Sequence, residues 1–175
     1  ALPNDSMVRV FSEGYEPFDV ILDDDIHVEP SEKGKPVALV KGILIEFILR
    51  GYEVGAFTVV LESEIFKGAG VSSSAAFEAL IAEILNHSFN EGKISKIELV
   101  DICQKAESVH YGKPCGKLDQ IGAIYGGVNY VDFSKEIPEV YPVEFKLPLN
   151  IVLINSRSSH EDLTPLYSEI AEDMK

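Results

Sequence analysis

The residues best suited to chemistry form one short run of glycine and serine between residues 68 and 76. Its two glycines, Gly68 and Gly70, allow the backbone to approach a bulky anion and to adopt dihedral angles that a Cβ forbids. Hydroxyl groups follow at the start of a predicted helix, where unpaired N–H groups and the helix dipole favour an anion. The predicted phosphate-binding residues are Gly68, Ala69, Gly70, Val71, Ser72, Ser73 and Ser74.

This run differs from the phosphate-binding loop of many nucleoside triphosphatases, because no Gly-Lys-Ser/Thr triplet follows four variable residues. The small residues Ala75 and Ala76 keep the site open, and a serine hydroxyl offers a ligand for Mg²⁺. A glycine turn with a serine helix cap explains the same residues without any ligand. The run alone therefore leaves a triphosphate site and a simple helix cap both open.

Two acidic residues, Glu107 and Asp119, lie on either side of a turn that contains Pro114, Cys115 and Gly116. Glu107 is near the end of one predicted helix and Asp119 is in the first turn of the next, so the turn can fold both carboxylates toward one pocket. A kinase needs one acid to hold Mg²⁺ and another to orient or deprotonate the acceptor hydroxyl. Taken singly, each residue also fits a solvated helix face or a helix cap.

The hydrophobic pattern predicts the elements that must position these residues. Strands are predicted at residues 7–12, 18–23, 56–62, 128–133, 140–145 and 150–155. Helices are predicted before Gly51, after Ser72, from Ser95 to His110, through Asp119, and from about Asp162. The apolar stripe of the helix after Ser72 is predicted to be Phe77, Leu80, Ile81, Ile84 and Leu85. The mixed order predicts a single α/β (α+β) domain over residues 1–175, a two-layer sandwich of a mostly antiparallel sheet and helices.

The formal net charge of −14 excludes nucleic acid as an expected partner, because the phosphate backbone would be repelled. It does not exclude a nucleotide, which backbone N–H groups and a metal ion can hold. No apolar run is long enough to span a bilayer, and no secretion signal is present, so no membrane partner is expected. The two cysteines, Cys103 and Cys115, show no metal-ligand spacing and predict reduced thiols in the cytoplasm.

The run at residues 68–76 resembles the central nucleotide-binding motif of the GHMP kinases, which include galactokinase, homoserine kinase and mevalonate kinase. Three consecutive serines, the segment from Pro114 to Gln120, and the spacing between Glu107 and Asp119 resemble the galactokinase branch in particular. The resemblance implies the ribosomal protein S5 domain 2-like fold of the GHMP kinase N-terminal domain. It also implies ATP and Mg²⁺ as cofactors and a small-molecule sugar as the partner.

The resemblance further implies a role for individual residues. Ser74 and Glu107 are implied to hold Mg²⁺, and Asp119 is implied to be the catalytic residue that acts on the anomeric hydroxyl of the sugar. Gly116, Asp119 and Tyr167 are implied to bind the sugar, with the pattern around Tyr167 met only loosely.

The chain departs from the family pattern in several places. Phe66 stands where the family usually has proline, and Lys117 replaces an apolar residue beside the catalytic turn. The family's N-terminal sugar-binding motif, with its catalytic arginine, and its glycine-rich C-terminal motif have no counterpart in the chain. These departures imply a fragment of the GHMP kinase N-terminal domain that folds but phosphorylates no sugar at a useful rate.

The sequence favours part of an ATP-dependent kinase that transfers the γ-phosphoryl group to the 1-hydroxyl of galactose or to a related sugar hydroxyl. The alternative is a non-catalytic, galactokinase-like sensor that holds sugar and nucleotide, and turnover by the full-length protein separates the two. An interaction domain of the same fold is a third hypothesis, but it gives no reason for the triple serine and the two acids. His160, Glu161 and Asp162 could touch the sugar or cap the last helix, and a cap is favoured. The identity of the sugar and the oligomeric state stay open.

Overall fold

A three-stranded sheet and a separate two-stranded ribbon make up the β-structure of this computed structural model, which describes residues 6–64 and 70–144 together with Lys146 and Val152. The strands are β1 (Met7–Ser12), β2 (Phe18–Ile21), β3 (Phe57–Leu61), β4 (Asn129–Asp132) and β5 (Glu139–Pro142). In the larger sheet, ordered β2-β1-β3, Val8 of β1 lies opposite Val20 of the antiparallel β2 and Phe57 of the parallel β3. Since β4 and β5 are also antiparallel, the prediction of a mostly antiparallel sheet is confirmed.

The helices pack against one face of the larger sheet. They are α1 (Pro36–Leu49), α2 (Ser73–Phe89), α3 (Lys96–Lys105) and α4 (Leu118–Tyr125), with a short 3₁₀ turn at Pro30–Glu32 and a π-helical turn at Ala106–Tyr111. Helix α1 begins at a proline, whose fixed φ suits the first helical position. It ends at Gly51, where a φ of 75° lets the N–H of Tyr52 donate to the carbonyl of Phe47 at 3.0 Å. Helix α3 begins at Ser95, whose hydroxyl accepts a hydrogen bond from the N–H of Glu98.

The hydrophobic core lies between the sheet and the four helices, as a two-layer fold requires. Alternate side chains of β1 point into it, because successive residues of a strand face opposite sides of the sheet. The largest fully buried apolar side chains are Phe47, Ile43, Leu44, Ile81, Leu85, Leu99, Ile102, Ile121 and Val8. None of the helices in the described part of the chain is long and apolar enough to cross a membrane.

The predicted apolar stripe of α2 is wrong in part. Leu80 is 43% exposed, and Phe77 and Ile84 are only half-buried. The residues that face the interior are instead Ala75, Glu78, Ala79, Ile81, Ala82, Leu85 and Asn86. Three alanines allow α2 to approach α3 and α4 closely, and two polar residues share its buried face. A prediction from hydrophobicity alone therefore placed the inner face of α2 wrongly.

The predicted helix from Ser95 to His110 changes character at Ala106, where the π-helical turn begins. The N–H of Gly112 donates to the carbonyl of Glu107 at 3.1 Å, the five-residue spacing that defines a π turn. Helix α1 crosses this turn at Gly42, where a Cβ would lie 2.8 Å from the Cβ of His110. The two backbones can approach this closely only because Gly42 has no side chain. The predicted strand at 150–155 and the predicted helix from Asp162 lie outside the described residues.

Candidate functional site

The start of α2 has an unusual backbone. Gly70 has a φ of 72°, and Ser72, which precedes the first residue of the helix, has φ 57° and ψ 45°. A serine in this left-handed region is uncommon and strained, and such residues concentrate at functional sites. Ser72 occupies the N-cap position that the run of serines predicts, but its side chain makes no capping hydrogen bond. Gly68 and Ala69 lie outside the described residues.

The backbone N–H groups at the start of α2 precede the hydrogen-bond ladder of the helix. The first bond of that ladder runs from the N–H of Ala76 to the carbonyl of Ser72 at 3.1 Å. N–H groups ahead of that bond have no partner within the helix and lie at the positive end of its dipole. Val71 and Ser73 are exposed beside them, so this end of the helix is open to solvent. The arrangement suits an anion such as a phosphate group.

Ser74 and Glu107 come together as the sequence predicts, although 33 residues separate them. The Ser74 hydroxyl donates to Oε1 of Glu107 at 3.2 Å, which joins the first turn of α2 to the π-helical turn. Glu107 is only 2% exposed, so its carboxylate is held almost wholly inside the protein. A hydroxyl and a carboxylate side by side are the hard oxygen ligands that Mg²⁺ prefers.

Lys113 also reaches the Glu107 carboxylate, which the sequence analysis did not predict. Its Nζ donates to the same Oε1 at 2.9 Å. Burial alone would lower the pKa of Lys113, but the hydrogen bond and charge of Glu107 outweigh burial and raise it. Lys113 and Glu107 therefore form an ion pair in a partly buried position.

A buried polar pair, Gln120 and Glu78, holds the other side of the carboxylate. Nε2 of Gln120 donates to Oε2 of Glu107 at 2.8 Å and to Oε2 of Glu78 at 3.2 Å. Neither Gln120 nor Glu78 is exposed to solvent at all. Burial, with the negative charge of Glu107 as the next cause, raises the pKa of Glu78 to about 9. Oε1 of Glu78 and Oε1 of Gln120 have no hydrogen-bond partner, and a proton on Glu78 would turn one of these acceptors into a donor.

Asp119 lies beside this cluster but faces solvent. It occupies the first turn of α4, immediately before the buried Gln120, and is itself exposed. Its charge is among the causes that raise the pKa of Glu78, so it lies within electrostatic range of the buried carboxyl. Asp119 is thus the exposed neighbour of a buried polar cluster.

The turn between Glu107 and Asp119 is anchored to α3. Nε2 of Gln104 donates to the carbonyl of Cys115 at 3.0 Å. Nζ of Lys117, the residue that departs from the family pattern, donates to Oδ1 of Asp101 at 2.7 Å. Asp101 also accepts a hydrogen bond from Arg50 of α1 at 2.7 Å. A lysine at this position therefore ties the start of α4 to two other helices.

The remaining predicted residues are less informative. Gly116 is exposed, and a Cβ there would meet nothing within 4 Å, so packing within the described residues does not require this glycine. Tyr167, His160, Glu161 and Asp162 lie outside the described residues. No cluster of three or more histidine, cysteine, aspartate or glutamate side chains forms a metal site in the part of the chain that the structure describes. Mg²⁺ usually needs only one or two protein carboxylates when substrate phosphates supply further ligands, so Ser74 and Glu107 fit that role.

Comparisons with known proteins match this region. The family model for the GHMP kinases N terminal domain matches residues 38–127. The galactokinase of Clostridium tetani is 43% identical over 86 residues, covering 49% of this chain and 22% of that protein. The galactokinase of Lactococcus lactis subsp. lactis is 30% identical over 172 residues, covering 96% of this chain and 43% of that protein.

A solved structure, the crystal structure of Lactococcus lactis galactokinase complexed with galactose, has the same fold. It superposes with a TM-score of 0.70 at 24% sequence identity, and the match covers 99% of this chain and 46% of that chain. The present chain therefore spans less than half the length of these galactokinases.

Proposed function

The chain belongs to the GHMP kinase family, and on that premise we propose that it is part of an ATP-dependent sugar kinase. The reaction would transfer the γ-phosphoryl group of ATP to a sugar hydroxyl, with the 1-hydroxyl of galactose as the first candidate. The observation that carries this proposal is the contact between Ser74 and Glu107, which joins a predicted phosphate loop to a buried carboxylate. Several relatives that match the chain are galactokinases.

The nucleotide is proposed to bind at the start of α2. The backbone N–H groups at Ser72 and Ser73 would donate hydrogen bonds to phosphate oxygens, and the left-handed backbone at Gly70 and Ser72 would keep that end of the helix open. Ser74 and Glu107 would hold Mg²⁺, which when bound neutralises charge on the phosphates. Gln120 fixes the orientation of the Glu107 carboxylate by donating to its second oxygen.

Asp119 is proposed to act on the acceptor hydroxyl, with Gly116 and Tyr167 beside the sugar. In transfer, the hydroxyl gives its proton to Asp119, its oxygen forms a bond to the γ-phosphorus, and the bond from that phosphorus to the bridging oxygen breaks to leave ADP. The exposed position of Asp119, in the first turn of α4, leaves room for the sugar. A base in this role contributes about 10²–10⁴-fold to the rate.

The compartment and the extent of the domain are parts of the same proposal. Cys103 and Cys115 are free thiols, as expected in the reducing cytoplasm where we place the protein.

We also propose that residues 1–175 belong to one N-terminal kinase domain, since the matched galactokinase structure aligns with 99% of the chain.

The test is Asp119→Asn in a full-length kinase that contains this chain. Galactose-dependent ADP release should fall by about 10²–10⁴-fold, while the affinity for Mg·ATP should change little, because Asp119 contacts the acceptor rather than the nucleotide. Asp24→Asn, which makes the same exchange at an exposed position in the loop after β2, is the matched control and should keep full activity. Equal rates in the Asp119→Asn variant and the wild type would contradict the role of Asp119. Binding of sugar and nucleotide without turnover in the wild type would favour the sensor.

A further inference from the structure

Two hydrogen-bond donors meet at one oxygen atom of the candidate metal site. Oε1 of Glu107 accepts hydrogen bonds from the Ser74 hydroxyl at 3.2 Å and from Lys113 Nζ at 2.9 Å. The Glu107 side chain is 2% exposed, whereas the Lys113 side chain is 30% exposed. A negative charge buried to this degree is costly without a positive partner, and among the described residues Lys113 forms an ion pair with this carboxylate.

The position of Lys113 conflicts with a metal ion bound at the same oxygen. A Mg²⁺ ion held by Ser74 and Glu107 would share Oε1 of Glu107 with the Lys113 ammonium group, which lies 2.9 Å from that oxygen. Two cations on one carboxylate oxygen repel each other strongly in a poorly solvated site. Because Lys113 has a long flexible stem and a side chain that is 30% exposed, it is the group that can leave.

We propose that Lys113 is a place-holder cation for the metal site, paired with Glu107 in the metal-free protein and displaced when a divalent cation binds. Lys113 therefore lowers the affinity of the site for free divalent cations and occupies Oε1 of Glu107 until they arrive. This inference rests on the proposed function, because it takes Ser74 and Glu107 as the metal ligands.

The local backbone suits such an exchange. The N–H of Lys113 donates to the carbonyl of Glu107 at 3.1 Å, so the lysine stays close to the site even when its side chain swings out. The second carboxylate oxygen of Glu107 is held by Gln120 at 2.8 Å, independently of Lys113. The carboxylate can thus keep its orientation while one cation replaces the other.

The test measures the binding of Mn²⁺, the probe, to the 175-residue chain. Binding is measured as the loss of the electron paramagnetic resonance signal of free Mn²⁺. The part of the binding that Glu107→Gln abolishes defines the Glu107 site and separates it from other acidic sites. Lys113→Met should tighten binding at that site by at least about tenfold, because an opposite charge at this distance changes the cation affinity of a carboxylate by one to three powers of ten. Lys113→Arg, which keeps the charge, should bind Mn²⁺ about as the wild type does.

The matched control is Lys105→Met, which removes a lysine that pairs with Asp101 instead. It should leave Mn²⁺ affinity within about twofold of the wild type. If circular dichroism shows that Lys113→Met fails to fold, Lys113→Gln removes the charge but keeps a hydrogen-bond donor, and the same tightening is expected. Unchanged or weaker Mn²⁺ binding in a folded variant without the charge, Lys113→Met or Lys113→Gln, would overturn the place-holder role of Lys113. Mn²⁺ binding that survives Glu107→Gln in full would instead overturn the proposed metal site itself.

Discussion

Replacing Glu78 by glutamine should remove a pH-dependent loss of stability. Burial raises the pKa of Glu78 in the folded chain to about 9, against an ordinary value of 4.5 expected in the unfolded chain. Between these two values the unfolded carboxyl is ionised while the folded one keeps its proton. The folded state then binds one more proton than the unfolded state. The contribution of Glu78 to the free energy of unfolding is therefore complete below pH 4.5 and is lost as pH rises toward 9.

The size of this effect follows from the linkage relation. Each pH unit between the two pKa values costs about 1.4 kcal/mol of the free energy of unfolding. Between about pH 5.5 and about pH 7.5, Glu78 should lower that free energy by about 3 kcal/mol. Glutamine does not titrate, and its amide offers a donor near the unpartnered Oε1 of Gln120. The stability of the variant relative to wild type should therefore rise by about 3 kcal/mol over the same range.

The assay is urea unfolding followed by circular dichroism at several pH values. Subtracting wild type from variant at each pH cancels the titrations that the two proteins share. Glu83→Gln makes the same exchange elsewhere on α2, where the side chain is partly exposed and pairs with His87 at 3.4 Å, and it should change stability by less than about 0.5 kcal/mol. A difference for Glu78→Gln that stays constant with pH would refute a protonated, buried carboxyl.

Gly42→Ala should lower the free energy of unfolding by about 1–3 kcal/mol, because the new Cβ would lie 2.8 Å from the Cβ of His110. Gly122→Ala is its control: a Cβ there meets nothing within 4 Å, so thermal unfolding should show a neutral or stabilising effect, and equal losses for both would contradict the close packing at Gly42. The 175-residue chain alone should release no galactose-dependent ADP from Mg·ATP at a useful rate in a coupled assay. It spans 43% of the Lactococcus lactis enzyme, and the resemblance implies an arginine outside it that contributes about 10³-fold or more. Robust sugar-dependent turnover would show that the chain holds a complete site.

Two kinds of element could be predicted: a strand with a regular period of hydrophobic residues, and a helix followed by a glycine that ends it. β1 has the predicted bounds, with buried valines at every second residue, Val8 and Val10, and α1 ends at Leu49, two residues before the glycine that predicts its end. The inner face of α2 could not be read from hydrophobicity, since Glu78 and Asn86 are buried with the alanines. The π-helical turn was also missed, because nothing in its residue types separates it from a continuing α-helix.

Several residues of the candidate site could be predicted, but the side chains that contact them could not. The contact between Ser74 and Glu107 agrees with the resemblance to the family, while Glu78, Lys113 and Gln120 were given no role. One signal could have indicated Glu78, since it lies four residues after Ser74 and so shares its helix face. Lys113 and Gln120 reach Glu107 only through the path of the turn between the helices, which local propensity does not specify.

The π-helical turn makes the site sensitive to the number of residues in the chain as well as to their type. A π turn holds one residue more than an α turn of the same helix, and here that extra residue lies in the segment that carries Glu107. If the same residues closed into an ordinary α turn, the extra residue would have no place within the turn and would shift the chain that follows by one position. Each residue after the turn would then be rotated by about 100° from its present direction relative to the residues before it. Glu107 and Lys113 could no longer meet at the same oxygen, even with every chemical group still present.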